Sequence, residues 1–266
     1  MKAVWYEHIG AADDVLMHGN IDDPEVSDGE VLVRLRTSGI NPSDVKTRAG
    51  ARGELQFPRI IPHSDGAGNI EAVGHGVDTN RIGERVWVWN GAFGRAFGTC
   101  AEYISLPANQ AVKMPENSTF EAGACMGIPA STAYHGVFSG GSVNNKTLLV
   151  TGGAGAVGHY AIQLAKWDGA KVIATVSGSE KGLAAKEAGA DLVVNYKTDD
   201  VVQSVNDFTS GEGVDRIVEV EFGGNLSVSK QVIKTNGVIA AYGSVAVGNP
   251  ELPFYSLMFK GAIIKM

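Results

Sequence analysis

Residues 147–176 read TLLVTGGAGAVGHYAIQLAKWDGAKVIATV, and the order of apolar runs and glycines in this stretch predicts the fold of the second half of the chain. An apolar run at 147–150 predicts a buried strand, and a glycine-rich turn follows it directly. Apolar residues at helical spacing come next, and a second apolar run occupies 171–176. This succession of strand, turn, helix and strand predicts a βαβ unit and therefore a parallel sheet.

The glycine-rich turn carries the pattern G-x-x-G-x-x-G at 152–158. A pyrophosphate binds to backbone N–H groups at a helix N-terminus, and bulky side chains there would hold it away. We therefore predict a dinucleotide site at this turn; a glycine-rich turn without a ligand is the alternative. The predicted contact residues are Gly152, Ala154, Gly155, Ala156 and Val157.

The end of the second strand distinguishes between the two nicotinamide cofactors. Proteins that prefer NAD usually place an acid there to bind the ribose 2′-OH, whereas this chain has Ser177 and then Lys181. A hydroxyl and a cation suit a 2′-phosphate, and Tyr196 after the third strand is expected to border the same pocket. Glu180 more naturally belongs to the first turn of the next helix. The pattern favours NADPH over NADH.

The two halves of the chain differ in their pattern of apolar runs and turn residues. The C-terminal half alternates apolar runs with helical stretches, as in a sheet covered on both faces, while the N-terminal half has short β-like runs between turn residues. Ser118 and Glu121 form a capping-box pattern near the change. We expect an α/β protein with an irregular β domain at 1–122 and a doubly wound parallel sheet at 123–266. Because the last segment, GAIIKM, has the pattern of a strand, we expect the C-terminal part of that sheet to be missing.

Composition excludes several classes of protein. The 266 residues carry a formal net charge of −7 at pH 7, which opposes broad attraction to nucleic acid or an anionic membrane. Glycine is abundant, with 35 residues, about twice its usual share of roughly 7%. Only Cys100 and Cys125 are present, too few for a disulfide framework, and no stretch has the pattern of a signal peptide or a membrane span. We expect a cytoplasmic protein.

Ordered motifs along the chain resemble those of one family. They are GINPSDVKTRAG at 39–50, PHSDGAGNIEAVG at 62–74, IGERVW at 82–87, GTCAEY at 98–103, PASTAYHGV at 129–137, GGAGAVG at 152–158 and VVNYK at 193–197. Together they are similar to the zinc-independent quinone oxidoreductases, the zeta-crystallin-like group of the medium-chain dehydrogenase/reductase superfamily. The resemblance implies a GroES-like β domain, a Rossmann domain and a nicotinamide cleft between them.

The resemblance also bears on metal binding. Zinc-containing relatives carry metal ligands where this chain has Asn41 and Ser64. Neither side chain is a useful ligand, because zinc prefers thiolate, imidazole or carboxylate. His63 lies one position before the ligand histidine of those relatives and is interpreted as structural. We predict neither a catalytic nor a structural zinc.

Candidate catalytic roles follow from the same resemblance. Asn41 would face the nicotinamide and polarise an acceptor oxygen, with Asp44 ordering the loop; ordinary turn chemistry is the alternative for this segment. Thr132 matches a family position near the nicotinamide ring, and Ile128 would form part of the wall of the nicotinamide pocket. Lys46 replaces a tyrosine common in the family and would supply a cation near a developing enolate.

Two further features concern the later strands of the parallel sheet. Tyr242, Gly243 and Ser244 end a strand where the family lets the backbone approach the cofactor. Val220 stands where the family frequently has an aspartate, before the turn at Gly223. The first feature adds three residues to the predicted cofactor site, and the second is a departure from the family pattern.

The predicted function combines these features. Oxidation of an alcohol depends on a Lewis acid that stabilises the alkoxide. Quinones and α,β-unsaturated carbonyls are already electrophilic, so hydride transfer from NADPH to them does not need one. We therefore predict an NADPH-dependent quinone oxidoreductase that transfers hydride to a small quinone or enone, with a solvent proton completing the reduction. The alternatives are an enoyl-thioester or 2-alkenal reductase and a non-catalytic NADPH-binding protein. The family resemblance implies a homodimer formed through the apolar stretch 252–266, and we expect no membrane partner and no nucleic acid.

Overall fold

A computed structural model describes residues 1–266, and the chain divides into two compact units, residues 1–128 and 129–266. The domain boundary expected after residue 122 falls inside a short helix, Phe120–Gly123. None of the helices combines the length and apolarity needed to cross a bilayer. Each unit has its own sheet and its own apolar core.

The first unit contains seven strands and three short helices. The strands are β1 (Lys2–Trp5), β2 (Met17–Asn20), β3 (Glu30–Gly39), β4 (Asp65–Val73), β5 (Arg85–Val88), β6 (Tyr103–Pro107) and β7 (Ala111–Lys113). The helices are α1 (Ala12–Val15), α2 (Pro42–Arg48) and α3 (Phe120–Gly123), and single 3-10 turns lie at Thr79–Arg81 and Ala108–Gln110. Every β-like run of the sequence forms a strand, and β2 is additional.

Five strands of the first unit form an antiparallel sheet in the order β6-β3-β4-β5-β7, while β1 and β2 pair separately. In β3 the alternate residues Val31 and Val33 are fully buried, and the core continues through β5 and β6. Because every second residue of the strand is buried, one face of the sheet packs against the core. Gly39 at the end of β3 pairs with Asp65 at the start of β4, so α2 begins beside Asp65.

The start of α3 corrects one prediction. Thr119 is the N-cap, and its Oγ1 accepts a hydrogen bond from the backbone N–H of Ala122 at 3.2 Å. The capping box predicted at Ser118 and Glu121 is therefore wrong by one residue. The physical reason is that the carbonyl of Ser118 is held by the guanidinium of Arg85, so the helix begins one residue later.

The second unit contains six helices and six strands. A π-helical turn at Met126–Ala130 precedes α4 (Ser131–Phe138), and the other helices are α5 (Ala156–Trp167), α6 (Ser179–Glu187), α7 (Val201–Thr209), α8 (Phe222–Val232) and α9 (Phe254–Phe259). The strands are β8 (Thr147–Val150), β9 (Lys171–Val176), β10 (Leu192–Asn195), β11 (Val214–Glu219), β12 (Ile233–Ala241) and β13 (Ile263–Lys265).

The six strands of the second unit form one parallel sheet in the order β10-β9-β8-β11-β12-β13. Leu148 and Val150 belong to the apolar cluster on one face, and Leu149 belongs to the cluster on the other. Both faces are therefore covered by helices, which confirms the doubly wound Rossmann sheet. The strand order reverses between β8 and β11, and ligands of such sheets bind outside the carboxyl ends of the strands at this point.

Candidate functional site

The glycine-rich turn, residues 152–158, lies at the carboxyl end of β8. Helix α5 begins at Ala156 with Gly155 as its N-cap. Gly152 has a φ of +66°, a left-handed conformation that other residues disfavour. A Cβ on Gly158 would overlap the carbonyl of Gly152 and lie 2.9 Å from the Cα of Gly153. The left-handed backbone therefore requires glycine at 152, and close packing of backbone on backbone requires it at 158.

The outer surface of this turn is built from small residues. Gly155 and Ala156 are exposed, and Ala154 and Val157 are half-buried. A Cβ on Gly155 would meet only the carbonyl oxygen of Gly152, at 3.3 Å. The first N–H groups of α5 have no acceptor within the helix, so they are available to an anion. The residues present fit the pyrophosphate of a dinucleotide.

A buried carboxylate, missed by the sequence analysis, organises the strand ends beside the turn. Glu219, at the end of β11, is fully buried. Its Oε1 accepts hydrogen bonds from Thr151 Oγ1 at 2.8 Å and from Asn225 Nδ2 at 2.8 Å. The backbone N–H of Glu221 donates to the same oxygen at 2.7 Å, and Ser229 Oγ lies 3.4 Å from the other. Glu219 thereby ties β11 to the end of β8 and to α8.

The sequence directed attention to Val220 as a lost acid, whereas the carboxylate stands one residue earlier. The backbone N–H of Val220 donates to Thr151 Oγ1 at 2.9 Å, and that hydroxyl donates to Glu219. The signal for this group was the acid that ends the strand run VDRIVE, directly after Ile217 and Val218. An acid that ends a strand run at the carboxyl edge of a parallel sheet is therefore a candidate site residue.

The predicted 2′-phosphate residues come together at the end of β9. Lys181 Nζ donates to Ser177 Oγ at 3.2 Å. The backbone N–H of Tyr196 donates to the carbonyl of Val176 at 3.1 Å, which joins Tyr196 to the same strand end, and its side chain is exposed. Glu180 lies in the first turn of α6, as its spacing predicted. The strand end thus presents a hydroxyl and an amine.

The residues that follow β12 lie at the same edge of the sheet. The backbone N–H of Tyr242 donates to the carbonyl of Glu219 at 3.0 Å, and burial, with the Glu219 charge, raises the pKa of Tyr242. A Cβ on Gly243 would overlap the carbonyl of Val220. Ser244 Oγ accepts from the N–H of Gly223 at 2.9 Å. The Ser244 hydroxyl is therefore committed to the loop, and its backbone is what can face a ligand.

In the first unit, Asn41 and Asp44 form a capping box at the start of α2. The backbone N–H of Asn41 donates to Asp44 Oδ2 at 2.8 Å. The amide of Asn41 donates from Nδ2 to Asp65 Oδ2, also at 2.8 Å, and Asn41 is only 7% exposed. Asp44 has the loop-ordering contact expected of it, and the amide of Asn41 is held in one orientation by a carboxylate.

Asp65 is the second buried acid that sequence reasoning missed as a site residue. It is 1% exposed, and both carboxylate oxygens also accept from the N–H of Ile128, at 2.9 and 3.0 Å. Burial raises the pKa of Asp65 to about 6, although the hydrogen bonds from Asn41 and Ile128 lower it. A Cβ on Gly127 would overlap its Oδ1. The PHSDG segment was the signal, because its acid directly follows the family's ligand position.

The other predicted residues occupy simpler settings. Lys46 is exposed on the last turn of α2. Thr132 is half-buried near the start of α4 in the second unit, whereas Ile128 belongs to the first. His63 has a φ of +76° and shares a hydrogen bond between Nδ1 and Ser38 Oγ at 2.9 Å, and burial lowers its pKa. These contacts agree with a structural role for His63.

The side chains at the family's zinc positions do not fit a zinc ion. Asn41 directs an amide N–H at Asp65, and Ser64 offers a hydroxyl, whereas zinc prefers thiolate, imidazole or carboxylate ligands. No group of three or more His, Cys, Asp or Glu side chains is arranged to hold a metal ion.

Comparison with known families matches both units. Residues 27–116 match the family described as alcohol dehydrogenase GroES-like domain. Residues 156–266 match the family described as zinc-binding dehydrogenase. The matches agree with the antiparallel sheet of the first unit and the parallel sheet of the second.

Individual relatives cover most of the chain. Quinone oxidoreductase of Homo sapiens is 29% identical over 92% of this chain and 73% of its own length. The 2-methylene-furan-3-one reductase of Solanum lycopersicum is 30% identical over 86% of this chain and 62% of its own length. The solved structure of mycobacterial Rv1454c in complex with NADPH is 29% identical, with a TM-score of 0.84 over 100% of this chain and 81% of that one. The chain belongs to the medium-chain dehydrogenase/reductase superfamily of oxidoreductases, and the relatives to which it is similar include quinone oxidoreductases.

Proposed function

We propose that the protein is an NADPH-dependent reductase of quinones or α,β-unsaturated carbonyls. The observation that carries the proposal is the carboxyl edge of the parallel sheet. There a glycine-rich turn with small side chains lies next to the Ser177 and Lys181 pair. When bound, NADPH supplies the hydride for the reduction.

The charge and hydrogen-bond donors at the end of β9 favour NADPH over NADH. A 2′-phosphate needs cationic and hydroxyl donors, whereas a ribose 2′-OH is usually bound by an acid. Ser177 and Lys181 supply the donors, and the acid nearby, Glu180, is exposed in the first turn of α6. The NADPH found in the structure of mycobacterial Rv1454c supports the same cofactor for this chain.

We further propose roles for the predicted catalytic residues. One N–H of the Asn41 amide is engaged by Asp65, and its second N–H would donate to the oxygen of the acceptor, where negative charge develops. Asp44 holds the backbone of Asn41 in place. Lys46 would add a cation near the developing enolate, and Thr132 would contact the nicotinamide. A solvent proton completes the reduction.

Reduction of an enoyl thioester or a 2-alkenal is the second candidate, and one observation favours it. A relative at 30% identity is named 2-methylene-furan-3-one reductase, an enone by its name. An enoyl thioester or a 2-alkenal presents the same electrophilic carbon beside a carbonyl. A protein that binds NADPH without turnover is the non-catalytic alternative.

We also propose that the substrate is a small molecule, that the protein is a homodimer, and that it is located in the cytoplasm. Cys100 and Cys125 are both free thiols, which suits a reducing compartment. The net charge of −7 argues against nucleic acid as a partner.

The test is oxidation of NADPH, followed by absorbance, with 1,4-benzoquinone, 9,10-phenanthrenequinone, 2-hexenal and crotonyl-CoA as separate acceptors. We expect saturable turnover with a quinone or an alkenal. Preference for crotonyl-CoA would assign the enoyl-thioester alternative. Tight NADPH binding with no turnover on any acceptor would contradict the proposed reductase activity and favour the non-catalytic alternative.

A further inference from the structure

A cavity of about 240 Å³ lies at the amino ends of β8, β11, β12 and β13. This is the edge of the parallel sheet opposite the glycine-rich turn. Four cationic side chains line the cavity, and its only acidic lining residue is Asp215. The cations are Lys146, Arg216, Lys234 and Lys265. In a chain with a net charge of −7, this concentration of positive charge is a local exception.

Arg216 is the buried member of this cluster. It is 2% exposed, and its Nη1 donates to the carbonyls of Val137 and Gly141 at the end of α4. Its Nε is buried without a hydrogen-bond partner. A Cβ on Gly140 would overlap Nη2, so the chain is shaped around the guanidinium. Buried charges are normally paired, and carbonyl groups supply only partial negative charge.

The nearby acids are already occupied. Asp215 Oδ2 accepts from the backbone N–H of Thr147 at 2.8 Å and lies 3.5 Å from Lys234 Nζ. Lys234 also pairs with Glu212 at 3.3 Å. Lys265 Nζ donates to the carbonyl of Ser139. Two carboxylates therefore face four cations, and the charge of Arg216 is not neutralised by an ion pair.

We propose that this cavity binds a small oxyanion, with inorganic phosphate as the ligand that fits it. The site is independent of the proposed cofactor site, because it lies at the other edge of the sheet. A volume of about 240 Å³ is below the roughly 300–1,000 Å³ of pockets for drug-sized ligands. Arg216 offers fixed planar donors, and Lys146 offers a mobile ammonium group that is half-exposed. An anion between them neutralises the buried guanidinium.

The experiment is a titration of inorganic phosphate into the protein, followed through backbone amide chemical shifts, with phenyl phosphate as a second probe. We expect saturable 1:1 shifts at Gly140, Asn236 and Gly237, which line the cavity. Saturation by phosphate more tightly than by phenyl phosphate supports a free oxyanion. The reverse order supports the same site with the phosphoryl group of a larger ligand.

Matched variants distinguish a built site from general attraction. Lys146→Gln should weaken phosphate binding about threefold, as expected for one solvent-facing cation. Lys171→Gln is the control, since Lys171 is exposed at the start of β9 and does not line the cavity. Arg216→Lys, with folding checked by circular dichroism, should weaken binding more than Lys146→Gln. Absence of saturation, equal effects of Lys146→Gln and Lys171→Gln, or shifts confined to residues 152–157 would each overturn the proposal.

Discussion

The glycine-rich turn of the second unit and the Asn41–Asp65 pair of the first unit are held in place by different means. In the turn, Gly152 has a left-handed φ of +66°, and a Cβ on Gly158 would overlap the carbonyl of Gly152, so both positions require glycine. In the pair, two side chains 24 positions apart meet through one hydrogen bond of 2.8 Å in a buried setting. The first region depends on local backbone geometry, and the second depends on the tertiary structure around it.

The two regions also use their buried acids differently. Glu219 beside the turn accepts hydrogen bonds from four donors, which replace its water. Asp65 accepts from two groups, Asn41 and Ile128, and burial raises its pKa to about 6. Glu219 thus serves as a structural centre, whereas at Asp65 the effect of burial outweighs that of the hydrogen bonds.

Replacement of Glu219 by alanine should have the largest effect. The change leaves the Asn225 amide and the Glu221 backbone N–H without their acceptor, while the Thr151 hydroxyl keeps the Val218 carbonyl at 3.3 Å. With about 1–3 kcal/mol for each unsatisfied group, we expect the free energy of unfolding to fall by roughly 3–5 kcal/mol. Urea unfolding followed by circular dichroism measures it. Glu221→Ala is the comparison, because Glu221 is only half-buried, and an equal loss in both variants would contradict the central role of Glu219.

The pH dependence of stability should report Asp65. Its pKa rises from an ordinary value of 3.8 to about 6 in the folded state. Between these values the folded chain keeps a proton that the unfolded chain releases, so stability falls as pH rises through this window. The total effect is about 3 kcal/mol. Relative to Asp65→Asn, wild-type protein should therefore lose stability in urea unfolding from pH 4 to pH 7; parallel curves would refute the raised pKa.

The glycine-rich turn is tested by a pair of alanine variants. A Cβ on Gly158 would overlap the backbone of Gly152, so Gly158→Ala should lower stability by about 2 kcal/mol and weaken nucleotide binding. Gly155→Ala places a Cβ 3.3 Å from the carbonyl oxygen of Gly152 without overlap and replaces a glycine N-cap, so it should cost less, about 1 kcal/mol. Thermal unfolding compares the two. Similar losses would show that close packing is not what requires glycine in this turn.

The charge at the end of β9 gives the smallest expected free-energy effect. Lys181→Ala removes the amine beside Ser177 and should weaken NADPH binding about tenfold, while NADH binding stays unchanged. Lys186→Ala is the control, since Lys186 is an exposed lysine on the same helix. Isothermal titration calorimetry measures both cofactors. Equal weakening of NADPH and NADH by Lys181→Ala would remove Lys181 from the phosphate site.

Local patterns predicted much of the architecture. The run EVLVRLRTSG coincides with β3, and the turn after TLLV begins α5 at Ala156, because both features depend on neighbouring residues. The segment MHGN of β2 lacks apolar alternation and escaped prediction. It forms a strand because it pairs with β1. Pairing of that kind is a tertiary property, which a short window of sequence does not contain.

The candidate site was predictable where the backbone defines it. The glycines and the Ser177–Lys181 pair follow from the strand-turn-helix order. Glu219 and Asp65 did not follow from it, because their importance comes from burial and from donors distant in sequence. Asp65 meets Asn41 because the ends of β3 and β4 pair, and Glu219 meets Thr151 because β8 and β11 are neighbours.

We propose that the turn and the Ser177–Lys181 pair make the protein specific for NADPH. Isothermal titration calorimetry of the wild-type protein with NADPH and with NADH, at one ionic strength, tests this most directly. We expect NADPH to bind at least about tenfold more tightly than NADH, which corresponds to roughly 1.4 kcal/mol. Equal dissociation constants, or tighter binding of NADH, would contradict the account.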